Sequence, residues 1–207
     1  MGSRGGKIRI VVLASGRGSN FVSISDAIVR GLMDAEIVML FSNKPGAGAI
    51  DAARFRGIKV EVIESKGIPA GEYEEKLIKT LKSCKPDLVV LAGYMKIVSK
   101  AVIEAFPMKI INIHPSLLPS FPGLDAQKQA FDYGAKVAGC TVHFVDEGVD
   151  TGPIILQKSL PVEDDDNAES LSLRILAEEH RLYPEAVRLF AEGRLKVEGR
   201  RVLIDRG

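Results

Sequence analysis

Short apolar runs rich in branched residues alternate with amphipathic helical stretches over the first 113 residues, and this rhythm restricts the fold more than any other feature. Residues 8–13, 35–41, 60–63, 88–91 and 110–113 read as strands. The stretches 21–29, 47–55, 73–81 and 99–105 between them read as helices. Strands separated by helices must pair in parallel, which covers the sheet on both faces. The predicted class is therefore α/β: a Rossmann-like, mostly parallel twisted sheet with helices on both faces. In such sheets ligands gather beyond the carboxyl ends of the strands, where a first Gly-rich loop and Asn112 to His114 both fall.

After Phe121-Pro122-Gly123 the rhythm changes. A helix near 126–133 is followed by extended runs at 137–145 and 154–162, a long helix around 168–191, and a hairpin at 195–204 turning near Glu198-Gly199. Neither a repeat nor a long polar linker interrupts the chain, so the later half is expected to extend the same sheet. Residues 1–207 read as a single domain, with an N-terminal arm at 1–6, a first half at 7–105 and a second half at 106–207.

Charge and cysteine content exclude several classes of partner. Lys plus Arg number 28 against 27 Asp plus Glu, so no global field recruits nucleic acid or a membrane surface, and an anionic ligand must be held by local donors. Cys84 and Cys140 lack CxxC spacing, which fits buried free thiols in a reducing cytoplasm rather than disulfides or structural zinc. No apolar run reaches the roughly 18 residues a membrane span needs, and Met-Gly-Ser-Arg-Gly-Gly lacks a signal-peptide core. Cytoplasmic localisation is expected, and self-association into a homodimer is left open.

Ser15-Gly16-Arg17-Gly18-Ser19-Asn20 lies between the first strand and the first helix, where glycines permit a tight turn and helix-start amides can hold a phosphate. Phe21 stands where a dinucleotide fingerprint has its third glycine, and the second strand ends Phe41-Ser42-Asn43 without a ribose-binding acid. A mononucleotide phosphate fits better than NAD; the bland alternative is a turn without a ligand.

Asn112 and His114 are two residues apart on an extended backbone, so their side chains point the same way. The amide can donate to a developing oxyanion, and the imidazole can donate or accept a proton. Asp150, in Asp150-Thr151-Gly152-Pro153, would favour the imidazolium if brought close; otherwise it is a turn-forming aspartate. His143 reads as a strand residue and His180 as a helical one, neither with metal-ligand spacing. The run 163–166 reads as a solvated acidic loop leading to a helix N-cap.

Taken together, Val12-Leu13-Ala14-Ser15-Gly16-Arg17-Gly18-Ser19-Asn20, Leu91-Ala92-Gly93-Tyr94-Met95, Asn112-Ile113-His114-Pro115-Ser116-Leu117-Leu118-Pro119, Phe121-Pro122-Gly123, Val142-His143-Phe144-Val145 and Asp150-Thr151-Gly152-Pro153 resemble the phosphoribosylglycinamide formyltransferases, folate-dependent enzymes of purine synthesis. The resemblance covers residues 7–204 and runs in family order. It implies formyl transfer from 10-formyltetrahydrofolate, as co-substrate, to the amine of glycinamide ribonucleotide, without a metal. It makes 7–105 the nucleotide-phosphate half and 106–207 the catalytic and folate-binding half. Asn112, His114 and Asp150 would be catalytic. Gly18, Ser19 and Asn20 would hold the phosphate, Glu179 the ribose hydroxyls, and Gly93 and Met95 would line that side. Met95, Lys96, Ile97 and Val98 would border the folate, with Asn112 and the loop Asp146, Glu147, Gly148 and Val149 also against it. Lys96-Ile97-Val98 replaces an Arg-Ile-Leu-like run, and Ala70 or Gly71 stands where the family often has a cation, so Lys66 is the candidate for the folate's anionic tail.

Three alternatives accompany this reading. A formyltetrahydrofolate hydrolase would be expected to carry an added N-terminal domain, and a methionyl-tRNA formyltransferase a basic C-terminal one. A non-catalytic nucleotide-binding module would explain the Gly-rich loop but not Asn112, His114 and Asp150.

Overall fold

The computed structural model describes residues 6–206, so the arm expected at 1–6 lies, except for Gly6, outside the described residues. The elements follow the order β1 (Ile8–Leu13), α1 (Ser19–Val29), β2 (Ala35–Ser42), α2 (Gly48–Phe55), β3 (Val60–Val62), α3 (Ala70–Cys84), β4 (Leu88–Leu91), α4 (Lys100–Ala105) and β5 (Ile110–His114). They continue with α5 (Ala126–Tyr133), β6 (Val137–Phe144), β7 (Ile154–Pro161), α6 (Ala168–Ala191), β8 (Leu195–Glu198) and β9 (Arg201–Ile204). Compared with the sequence reading, α1 and α3 begin earlier, at Ser19 and Ala70. The residues added there, Ser19-Asn20 and Ala70-Gly71-Glu72, are polar or small and leave no apolar periodicity to read.

All the strands form one sheet in the order β3-β2-β1-β4-β5-β6-β7-β9-β8. Strands β1 to β5 pair in parallel, β6 pairs antiparallel with both β5 and β7, and β9 returns parallel to β7. The later half thus extends the sheet, as the sequence implied. Strand order reverses at β1, whose neighbours are β2 and β4, and the crevice opens at that reversal.

The two-residue period of β1 sorts the core. Ile10 and Val12 face a cluster with Phe21 and Ile24 of α1, Ile50 of α2 and Val187 of α6, while Val11 and Leu13 face Tyr73, Leu77 and Leu81 of α3 and Val102 of α4. Full burial of such side chains contributes about 1.5–3 kcal/mol each. The buried Tyr183 hydroxyl donates toward the carbonyls of Leu91, at 2.9 Å, and Ile111, at 3.1 Å, tying α6 to the end of β4 and to β5 beside it. That anchorage carries Glu179, one turn earlier, to the crevice.

Acidic loop 163–166 differs in part from its expected solvated state. The Asp166 carboxylate accepts from the Glu163 N–H at 2.9 Å and from the Ser170 hydroxyl at 2.8 Å, and it pairs with Arg174. Asn167 then caps α6 through a capping box with Ser170.

Candidate active site

A cavity of about 530 Å³ lies along the carboxyl ends of β1, β4 and β5. Its lining brings together Asn20 and Glu179, then Asn112, His114, His143 and Asp150, and also Gly93, Met95, Lys96, Ile97 and Val98. Met95, Ile97, Leu124 and Val149 are exposed large apolar side chains lining this cavity. They offer contact to a flat ring system without a covering element of the protein itself.

At the start of α1, Gly18 adopts a left-handed backbone, φ 82°, and leaves the helix-start amides without a side-chain cap. A Cβ there would lie 2.6 Å from that of Ala49, so the position demands glycine twice over. Asn20, in the first turn, donates through Nδ2 to Glu179 Oε2 at 2.7 Å, while its buried Oδ1 has no partner. Burial pushes the Glu179 carboxyl up from its ordinary range, and the Asn20 bond offsets this only in part.

Strand β5 delivers Asn112 and His114, and the turn beyond β6 delivers Asp150, which adopts φ 54°. His114 is 4% exposed. Its Nε2 lies 2.9 Å from the carbonyl of Phe121, and its Nδ1 lies 3.3 Å from Asp150 Oδ2. A carbonyl and a carboxylate can only accept, so both contacts are satisfied together when both ring nitrogens carry protons. Burial works against the charge on Asp150, but the contact from His143, the Gly123 N–H at 2.9 Å and the neighbouring His114 outweigh it and hold the carboxyl below its ordinary range.

Sequence reasoning placed His143 in a strand and missed its position in the site. The antiparallel register of β5 and β6 sets Asn112 opposite His143. His143 Nδ1 faces the carbonyl of Phe144 at 2.8 Å, so that nitrogen carries a proton; Nε2 lies 3.2 Å from Asn112 Nδ2 and 3.6 Å from Asp150 Oδ1. Asn112 Nδ2 is 3.5 Å from the same carboxylate oxygen. One Asn112 N–H points to the Asp150 carboxylate, which leaves the other for the cavity. The only signal in the sequence was the alternation of β6, which says which face a residue takes but not which strand it meets.

Two residues expected against the folate do not line the cavity. Lys66 sits in the exposed turn before α3, beyond the short edge strand β3, and does not line the cavity. Glu147 turns away from the cavity to pair with Lys100 at 3.1 Å, whereas Asp146, Gly148 and Val149 do line it. The wall's cation is Lys96, whose Nζ lies 4.5 Å from the centre of the Tyr73 ring. Gly18 and Ser19 flank the lining at Asn20 rather than forming it. Among the described residues, no group of three or more His, Cys, Asp and Glu side chains could hold a metal, and no helix is long and apolar enough to cross a membrane.

The formyl transferase family model matches residues 8–187. The phosphoribosylglycinamide formyltransferase of Bacillus subtilis is 42% identical over 181 residues, covering 87% of this chain and 93% of that protein. A trifunctional purine biosynthetic protein, adenosine-3, of Drosophila melanogaster is 43% identical over 189 residues; the match spans 89% of this chain but only 14% of that protein. Among solved structures, glycinamide ribonucleotide transformylase 1 from Symbiobacterium toebii superposes with a TM-score of 0.94 at 50% identity, covering 97% of this chain and 95% of that one. A formyltetrahydrofolate deformylase from Pseudomonas syringae pv. tomato superposes with a TM-score of 0.91 at 26% identity, covering 97% of this chain and 66% of that one.

Proposed function

The chain belongs to the formyl transferase family, and from that premise we propose that it transfers the formyl group of 10-formyltetrahydrofolate to the amine of glycinamide ribonucleotide, yielding formylglycinamide ribonucleotide and tetrahydrofolate. One observation carries the reading: Asn112, His114 and Asp150 meet in a cavity whose lining also holds Asn20, next to the helix-start loop, and the apolar side chains Met95, Ile97, Leu124 and Val149. The ribonucleotide phosphate sits against the amides of 18–20 and its ribose against Glu179, which brings the glycine amine toward His114. The folate ring packs against Met95, Ile97, Val98 and Val149, with its formyl group facing Asn112.

The amine lone pair attacks the formyl carbon, and the carbonyl π electrons move to oxygen. Asn112, through its remaining N–H, and the doubly protonated His114 stabilise that oxyanion. For His114 to donate, it exchanges the Phe121 carbonyl for the formyl oxygen and keeps Asp150 as counter-ion. Collapse breaks the bond from the formyl carbon to the folate nitrogen. That nitrogen gains a proton from His114, and the attacking amine releases one to His114 or to water held by Asp150. Holding both substrates in one cavity supplies the orientation this bimolecular step otherwise lacks.

The decisive experiment follows tetrahydrofolate formation by purified protein with and without glycinamide ribonucleotide. Product that appears only with the ribonucleotide supports transfer. Formate release without it would instead favour a hydrolase, and no turnover with either acceptor would leave only a binding module.

A further inference from the structure

Ser15 lies outside the cavity lining, yet it joins the two sides of the cavity. It follows β1, is 5% exposed, and bonds twice to the segment after β4: its N–H donates to the Gly93 carbonyl at 3.1 Å, and its Oγ accepts from the Met95 N–H at 2.9 Å. The hydroxyl proton goes to Asn43 Oδ1 at 2.6 Å, and Asn43, itself 4% exposed, reaches Ser65 Oγ through Nδ2 at 3.4 Å. Two side chains, Ser15 and Asn43, thus connect the loops that follow β1, β2, β3 and β4. Gly16, next in sequence, accepts from the Ala49 N–H at 3.1 Å, which holds the helix-start loop to the same framework.

A serine hydroxyl has one proton to give and lone pairs to accept with, and here both capacities are used, one on the buried Asn43 and one on the Met95 N–H. Alanine at this position strips the acceptor from the Met95 N–H and the donor from Asn43 Oδ1 together. The segment 93–96 has no regular secondary structure to hold it in place once that acceptor is gone. Tyr94 adds a hold through its side chain, with its hydroxyl 2.5 Å from that of Tyr73, but this contact leaves the Met95 main chain without an anchor. Met95 and Lys96 form cavity wall, so a change in their main chain alters the shape the folate meets.

We propose that Ser15 is a positioning residue for the folate side of the cavity: through Met95 it fixes the wall at 93–96 relative to the helix-start loop at 18–20. The inference rests on the formyl transfer reading, and it assigns Ser15 a binding role rather than a chemical one. Losing the acceptor of such a main-chain N–H is commonly worth a few-fold to about ten-fold in an equilibrium that depends on it.

The test is steady-state kinetics of the wild-type chain with Ser15→Ala, Ser15→Thr, Asn43→Ala and the Ser15→Ala/Asn43→Ala double variant, each checked for folding by circular dichroism. Ser15→Ala should raise the KM for 10-formyltetrahydrofolate about ten-fold while kcat falls less, and Ser15→Thr, which keeps the hydroxyl, should recover most of it. Asn43→Ala attacks the same bond from its other side and remains informative if Ser15→Ala does not fold; the double variant should lose less than the sum of the singles. A lower melting temperature with KM and kcat unchanged would reduce Ser15 to a structural bond, and a fall in kcat alone would move it into the chemistry; either overturns the proposal. A wild-type chain that transfers no formyl group overturns the functional reading itself.

Discussion

Asn20 and Glu179, 159 residues apart in sequence, are joined by a 2.7 Å hydrogen bond that leaves the buried Asn20 Oδ1 without a partner. Two polar groups of the cavity lining are thereby held together before any ligand arrives. Glu179→Gln should raise the KM for the ribonucleotide about ten-fold and leave that for the folate near the wild-type value. It also has a stability signature. The folded-state carboxyl of Glu179 is raised by burial, so the native protein holds its proton longer than the unfolded chain and loses stability as pH climbs through the ordinary carboxylate range toward the raised value. Urea denaturation should find the variant gaining on the wild type between pH 4 and pH 7; parallel curves would remove the burial argument.

Replacement of His114 by alanine should leave a folded protein with turnover lowered by roughly two orders of magnitude, the scale for loss of an acid or oxyanion donor. Its contacts to Phe121 and Asp150 also order the loop above it, so near-ultraviolet circular dichroism should accompany the assay. Near-normal turnover would take His114 out of the mechanism.

For Asp150 the carboxyl is held below its ordinary range in the folded state. The sign is opposite to that of Glu179: the stabilisation is fully present above the unfolded value near 3.8 and is lost as pH falls through the lowered folded value. Asp150→Asn should therefore be less stable than wild type at pH 7, with the gap closing on acidification below pH 4, and its kcat should fall more than either KM rises. An equal stability gap at pH 7 and pH 3 would contradict the linkage.

Gly18→Val should act on the phosphate end. A side chain here strains a backbone at φ 82° and strikes Ala49, displacing the amides at the start of α1. The KM for the ribonucleotide should rise by ten-fold or more, well beyond that for the folate. An equal rise for both substrates would show that the change spreads through the whole cavity.

Lysine at position 96 replaces Lys66 as the expected partner of the folate's anionic tail, because it stands in the cavity wall against the Tyr73 ring. An exposed pair of a lysine and a carboxylate contributes only about 0–1 kcal/mol and is screened by salt. Lys96→Ala should raise the folate KM a few-fold at low ionic strength, with the effect fading as salt is added, and Lys66→Ala should change it little. The reverse ranking would restore the tail to Lys66.

Sequence periodicity was enough to determine the order and type of the elements, because apolar residues at intervals of two or of three to four leave one direction to face. It brought out β1 and β4 at their observed bounds, the glycine at the head of α1, and the pairing of Asn112 with His114 on one side of an extended strand. These are local properties, decided by backbone sterics and by which side chains avoid water. What only the tertiary structure decided were the meetings across the chain. The register of β5 on β6 put His143 against Asn112, the anchorage of α6 by Tyr183 brought Glu179 to Asn20, and the Ser15 hydroxyl found Asn43 and the Met95 N–H. The sheet edge at β3 left Lys66 outside the cavity, and an ion pair with Lys100 turned Glu147 away from it. Strand alternation names the face a residue takes, but its partner depends on strand order, register and loop path, which are settled by the packing of the whole core.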